Sequence, residues 1–193
     1  DLQSPGAVMG DGGFAEIGNT IRRRFEDYEV EGELVPRSEI GNTDSNNGKS
    51  NSSSKRHTLL RAKYDDEDVV LKMFVMSDSS QRKGLERELS ILGPLRNDAI
   101  IAPTAMVDGA SSDDVDQALR KMAVYIEFPY YKAGNFNDWS SVEHKPWELQ
   151  GISRQILYAL LFIHDHHVVH NQIHPSNILM TNDGRIVLSN FSA

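Results

Sequence analysis

The sequence predicts an α+β fold: a mostly antiparallel sheet carrying one helix, then the start of a helical region. Three observations predict it. Short runs with strand character crowd the first two thirds of the chain, at Tyr28–Leu34, His57–Tyr64, Val69–Met76, Ile100–Val107 and Met122–Phe128. One capped amphipathic stretch, Ser79–Leu92, interrupts them. After Gly134 the pattern changes to a long helix and a tight hairpin.

Each element has its own signal. Asp1–Gly13 is rich in Gly and small polar residues and reads as loose. Phe14–Phe25 reads as a short helix with Arg22, Arg23 and Arg24 on its exposed side. Tyr28, Val30, Gly32 and Leu34 alternate with Glu29, Glu31 and Glu33, a half-buried strand with an acidic outer face. Gly41–Arg56 is mostly Asn, Ser, Gly and charge, and reads as a flexible loop. Asp65-Asp66-Glu67-Asp68 is an acidic turn between the next two strands. The Ser79–Leu92 helix has Asp78 or Ser79 to cap its start. Gly93 stands where a left-handed stop is wanted, and Pro94 bars continuation.

Further along, Gly109–Lys121 reads as a polar insertion, and Pro129 to Gly134 as a connector. Trp147 to about His167 reads as a helix with Pro146 at its first turn. Its residues Ile152, Ile156, Leu160 and Ile163 form one apolar stripe. Ile178-Leu179-Met180 and Ile186-Val187-Leu188 read as a hairpin turning at Asp183-Gly184.

Bulk properties exclude several classes. The 193 residues are 39% hydrophobic and 25% charged, enough apolar material for a core. A net charge of -8 argues against nucleic acid as a partner, which would want a basic face. Without cysteine there is neither a disulfide framework nor thiolate chemistry. No apolar run reaches membrane-spanning length, and the expected setting is intracellular.

The most specific stretch is His170-Asn171-Gln172-Ile173-His174-Pro175-Ser176-Asn177-Ile178-Leu179. It resembles the catalytic loop of eukaryotic protein kinases, H-R-D-[LI]-K-P-x-N-[IL]-L. The His, Ile, Pro, Asn and closing Ile-Leu pair match. The family's Arg, Asp and Lys positions hold Asn171, Gln172 and His174. Val69-Val70-Leu71-Lys72 is similar to the family's V-A-I-K strand, and Glu88-Leu89-Ser90-Ile91-Leu92 to its E-x-x-I-L helix run. Ser189-Asn190-Phe191-Ser192 stands where D-F-G belongs, with only Phe191 matching.

The resemblance spans about Tyr28 to Ala193. It implies an N-terminal extension (1–27), a kinase-like N-lobe (28–128, with the insertion 41–56), and a hinge with the first part of a C-lobe (129–193). The chain then reads as a fragment. Elements after Ala193 would cover the apolar stripe of the long helix.

The resemblance also assigns roles. Lys72 would hold nucleotide phosphates and pair with Glu88, which flanks the Leu85–Leu92 face of its helix. Val70 would meet the adenine, Ile126 would gate the back pocket, and the backbone of Glu127 and Phe128 would bond the base. Pro129 brings no N–H to that task. Asn177 and Asn190 would be the magnesium ligands, with Asn190 lacking the carboxylate's charge. Gln172 stands at the proton-acceptor position and His174 at that of the phosphate lysine. No short Gly-rich phosphate loop is recognisable between Val35 and Arg56.

Of the clustered histidines His164, His166, His167, His170 and His174, His164 and His170 fall where the family often packs a His, and the cluster reads as structural rather than metal-binding. The reading is therefore a pseudokinase, a binding or allosteric module for a protein partner, with weak use of ATP and Mg2+. Two alternatives stay open. One is an atypical serine/threonine kinase that still phosphorylates protein; the other is an interaction domain that binds no nucleotide.

Overall fold

The computed structural model describes residues 21–34, 57–109 and 123–192. The tract 41–56 and nearly all of the 109–121 insertion lie outside these residues. The first half comprises β1 (Ile21–Arg24), a 3-10 turn (Phe25–Asp27), β2 (Glu29–Glu33), β3 (Leu59–Tyr64), β4 (Glu67–Val75), α1 (Ser79–Leu92), β5 (Ala105–Asp108) and β6 (Ala123–Pro129). Its strands make one six-stranded sheet, ordered β1-β5-β6-β4-β3-β2. Only β1–β5 is parallel. The second half comprises α2 (Phe136–Ser140), α3 (Pro146–Asp165) and the hairpin β7 (Ile178–Met180) and β8 (Ile186–Leu188).

Local chemistry explains the main elements. The β3–β4 turn puts Asp65 at φ 51° and Asp66 at φ 64°, the left-handed pair that a two-residue hairpin needs. Asp78 caps α1 by accepting from the backbone N–H of Ser80 at 2.8 Å. Alternation along β4 sends Val69, Leu71 and Met73 to one face of the sheet, where Phe25, Tyr28 and Tyr125 pack. It sends Lys72 and Phe74 to the other face, towards α1. There Leu85, Leu89 and Leu92 of α1 join Phe74, Ile126, Ile163, Ile178 and Phe191 in the main core.

Several expectations need correction. The residues ahead of Phe25 are not helical where described: Ile21–Arg24 is β1. Pairing with β5 overrides their helical pattern, and Arg23 turns inward to an ion pair. β2 exists, but all five of its residues are exposed. A register shift between Val30 and Gly32 breaks the alternation that would have buried one face. Gly93 is right-handed, at φ -54°. The Arg96 guanidinium donates to the carbonyls of Leu92, Gly93 and Leu95 at the helix end, so no left-handed turn is required. Strand β5 begins at Ala105, beyond Pro103, rather than at Ile100. The Ile152–Ile163 stripe is not left uncovered: Ile152 and Ile163 are buried, with Ile156 and Leu160 packed against the same core. The uncovered apolar face of α3 is a different one, carrying Leu157, Tyr158 and Leu161.

The two halves meet at β8. The Ile101 N–H donates to the Leu188 carbonyl at 2.9 Å, and the Leu188 N–H to the Ala99 carbonyl at 2.8 Å. The segment after α1 thus carries the end of β8 to the inner face of β4.

Leu85 is fully buried under the sheet. Leu85→Ala should cost about 2–5 kcal/mol in urea denaturation, as a buried large-to-small change does. A loss below about 1 kcal/mol would show that α1 is not held by this face.

Candidate functional site

Lys72 and Glu88 meet between β4 and α1. Lys72 Nζ donates to Glu88 Oε2 at 2.7 Å and Oε1 at 3.0 Å. The pair is deeply buried, with side chains 6% and 1% exposed. Burial lowers the pKa of the Lys72 ammonium and the Glu88 charge opposes that fall. Glu88 shares the buried face of α1 with Leu85, Leu89 and Leu92, while Glu86 is exposed.

Two further oxygens complete the surroundings of Lys72. Its Nζ donates to Asn190 Oδ1 and to Ser192 Oγ, each at 3.0 Å. The Ser192 hydroxyl also donates to Asn190 Oδ1, at 3.0 Å. An ammonium can only donate, so it fixes which way the Asn190 amide points: oxygen to Lys72, nitrogen away. That nitrogen donates to Gln172 Oε1 at 2.7 Å and lies 3.5 Å from Asn177 Oδ1. Asn190 is left-handed, at φ 68°, a conformation Asn tolerates better than most residues.

The loop 170–177 is tied to the same segment. The Asn177 side chain donates to the Gln172 carbonyl at 2.9 Å. The Asn177 carbonyl accepts from the Ser189 N–H and hydroxyl. His170 Nδ1 accepts the Gln172 N–H at 3.2 Å, so its Nε2 must carry the proton given to the Ser189 carbonyl at 3.0 Å. That is one neutral tautomer, and burial holds this imidazole below its usual pKa. Its ring lies 4.5 Å from that of buried Phe191. His174 instead caps its own turn, accepting the Ser176 N–H at 3.3 Å.

The positions assigned to the base lie along β4 and β6. Val70 is half-buried opposite Phe128, and Ile126 is fully buried opposite Lys72. The Glu127 carbonyl accepts from the Thr104 N–H at 2.9 Å and its hydroxyl at 3.2 Å. The Glu127 side chain points away from Lys72, to Arg23, Tyr28 and Thr104. A cavity of about 370 Å³ opens elsewhere, between Asp66–Asp68, Tyr130–Lys132 and Met180–Asn182.

As for metals, no group of three or more His, Asp or Glu side chains among the described residues could hold one. The amide oxygens of Asn177 and Asn190 stand where the kinase resemblance puts magnesium ligands. Both are neutral, and that of Asn190 already serves Lys72 and Ser192.

A lysine on the inner face of β4, paired to a glutamate on α1, faces a His-led loop across the join of two halves. That arrangement defines a protein-kinase type of domain. The family model for the protein kinase domain matches residues 53–193, and the chain belongs to that family. It is 26% identical over 148 residues to a bifunctional serine/threonine-protein kinase/NEDD4-like E3 ubiquitin-protein ligase of Dictyostelium discoideum. That match covers 72% of this chain and 7% of the relative. It is 30% identical over 105 residues to serine/threonine-protein kinase ppk23 of Schizosaccharomyces pombe, covering 54% of this chain and 25% of the relative. Serine/threonine-protein kinase pak-1 of Caenorhabditis elegans is 23% identical over 193 residues, 97% of this chain and 32% of the relative. The chain thus spans a third or less of each of these relatives. Kinases of this family use ATP and Mg2+ on protein substrates. No helix among the described residues is long and apolar enough to cross a membrane.

Sequence reasoning brought Lys72, Glu88, Gln172, Asn177 and Asn190 to one place, and they are there. It missed Ser192 as a partner of Lys72. The one available signal was a hydroxyl where the family has Gly. It also missed Arg23, Tyr28 and Thr104, which converge on Glu127 from distant segments.

Lys72→Met should cost about 3–5 kcal/mol, because it leaves Glu88 charged and buried alone. Lys72→Met with Glu88→Leu should recover most of that in urea titrations. Simple addition of two losses would contradict a coupled pair.

A pH effect follows from two imidazoles. His57 is held down to about 4 by burial and then by the nearby Lys72 ammonium. His170 is lowered by burial. The unfolded chain therefore binds more protons than the folded one below about pH 6.5. The stability both contribute is present above that value and is lost as pH falls towards 4. Urea midpoints should fall between pH 7 and pH 5, and His57→Gln should flatten part of the slope. A flat profile in wild type would contradict neutral, buried histidines.

Proposed function

We propose that this chain is a catalytically impaired protein-kinase domain, a pseudokinase, that works as a binding or allosteric module for another protein. The observation that carries this reading is the neutral amide cluster of Gln172, Asn177 and Asn190, bonded within itself and to Lys72. Phosphoryl transfer is catalysed mostly by positioning and by charge stabilisation on metal and cations. A proton acceptor adds about 10²–10⁴-fold. An amide at Gln172 is not a base at neutral pH. His174 is an imidazole where the family has a lysine, and it is turned onto Ser176. Magnesium is a hard cation that favours carboxylate oxygen. The donor set here brings no negative charge, and its Asn190 oxygen is engaged. These residues do not fit a tightly held Mg2+.

Nucleotide use is correspondingly weak in this reading. The protons of Lys72 are directed to Glu88, Asn190 and Ser192. The further reading, a domain that binds no nucleotide, is favoured by one observation at the hinge. The Glu127 carbonyl is taken by Thr104, and Pro129 has no N–H.

Radiolabelled phosphate transfer by the full-length protein tests the proposal. No transfer to itself or to generic protein substrates is expected. Gln172→Asp alone should not create a good kinase, because the other losses remain and such effects are not additive. A thermal shift with ATP, with and without Mg2+, separates weak binding from none. Turnover in the ordinary kinase range, abolished by Lys72→Met, would replace this reading with an active atypical kinase.

A further inference from the structure

Strand β1 and the turn after it lie outside the residues matched by the kinase family model, yet they reach the hinge. Glu127 is 2% exposed, directly follows Ile126, and stands two residues before the end of β6. A carboxylate at that depth is costly unless a cation and donors meet it. Arg23 Nη1 donates to its Oε2 at 2.7 Å, and the Tyr28 hydroxyl donates to the same oxygen. The Thr104 hydroxyl donates to Oε1. Among the described residues Arg23 is the cation paired with this carboxylate. Two of the three donors therefore come from residues 21–28.

That segment is fastened along its length. β1 pairs with β5 from Ile21↔Ala105 to Arg24↔Asp108. The Phe25 ring stacks on Tyr125 at 4.9 Å, and the Arg23 guanidinium lies 3.7 Å from the centre of the Tyr64 ring. Tyr28 packs on the same Tyr64 at 5.0 Å. The chain leaving Glu127 pairs with β4 through Phe128 and Pro129, and beyond them Tyr130 lies under the Arg61 guanidinium and Lys132 pairs with Asp68 at 2.9 Å. It passes through Tyr130, whose N–H reaches the Asp68 carbonyl only at 3.4 Å, before Gly134 anchors it to β7 through Met180.

We propose that Ile21–Tyr28 is a hinge clamp: Arg23 and Tyr28 hold the buried Glu127 carboxylate and so fix the connector from Glu127 to Gly134. Displacing the segment strands a charge beside Ile126 and loosens the connector from Glu127 onward. The clamp does not depend on the pseudokinase reading. It would set the hinge in an active or an inactive domain alike.

Amide hydrogen exchange on the full-length protein tests it, read separately over residues 127–134 and 105–108. Arg23→Met should raise exchange across 127–134 by about tenfold or more, as a locally destabilised segment does. Glu127→Gln should raise it less, since a neutral amide needs no cation. The double variant should resemble Glu127→Gln, because the stranded charge is gone. Arg24→Ala, an exposed neighbour on the same strand, should leave 127–134 unchanged. If β1 only closes the sheet edge, Arg23→Met and the double variant will be alike, with any rise at 105–108. That result, or no rise at 127–134 in Arg23→Met, overturns the clamp. Should Arg23→Met not yield folded protein, Arg23→Lys replaces it in the same cycle under the same criterion.

Discussion

The structure turns on one buried ion pair. Lys72 sits on the inner face of β4 and Glu88 on the inner face of α1, and neither charge can be stranded cheaply in that core. Their 2.7 Å contact fixes the rotation of α1 about its axis and its slide along the sheet. Leu85, Leu89 and Leu92 then fall onto the main core, and Asn190 and Ser192 find a cation waiting at the end of β8. A helix rotated by one residue would bury Arg87 or Leu89 opposite Lys72 and leave the ammonium without its charge partner.

The region around that pair is electrically quiet. Lys72 and Glu88 cancel, the Asn190 amide donates to the Gln172 side-chain oxygen, and the Asn177 amide donates to the Gln172 backbone carbonyl. Hydrogen bonding keeps such a cluster rigid without a bound ion, since every amide oxygen turned inward has a donor close by. Under the proposed reading, this is where the chain departs from a site built for phosphoryl transfer, which gathers negative ligands around a divalent cation.

A second buried charge lies on the opposite side of β6. Glu127 points outward from the sheet, and its partners come from β1, from the turn after it and from Thr104. The end of β6 thereby meets the outer core through Glu127 while Lys72 meets the inner one. Ile126 and Glu127 are neighbours in sequence, and strand alternation alone assigns them to the two faces.

Much of this was legible in the sequence, residue by residue. Ser79–Leu92 announced itself by its cap and its leucine spacing. The β7–β8 hairpin was carried by Asp183-Gly184, and Lys72, Glu88 and the loop from His170 to Asn177 by their motifs. These are local signals, set by propensity, turn chemistry and short spacings. Tertiary structure decided what depends on partners far along the chain. It made Ile21–Arg24 a strand because the β5 edge was open, and left β2 exposed through a bulge. It buried one apolar face of α3 and not another, and it turned Asn190 oxygen-first because Lys72 can only donate. No window of sequence contains both members of those pairs. A side chain's destination is fixed by whichever distant charge or surface completes it, and that becomes determined only when the chain has folded.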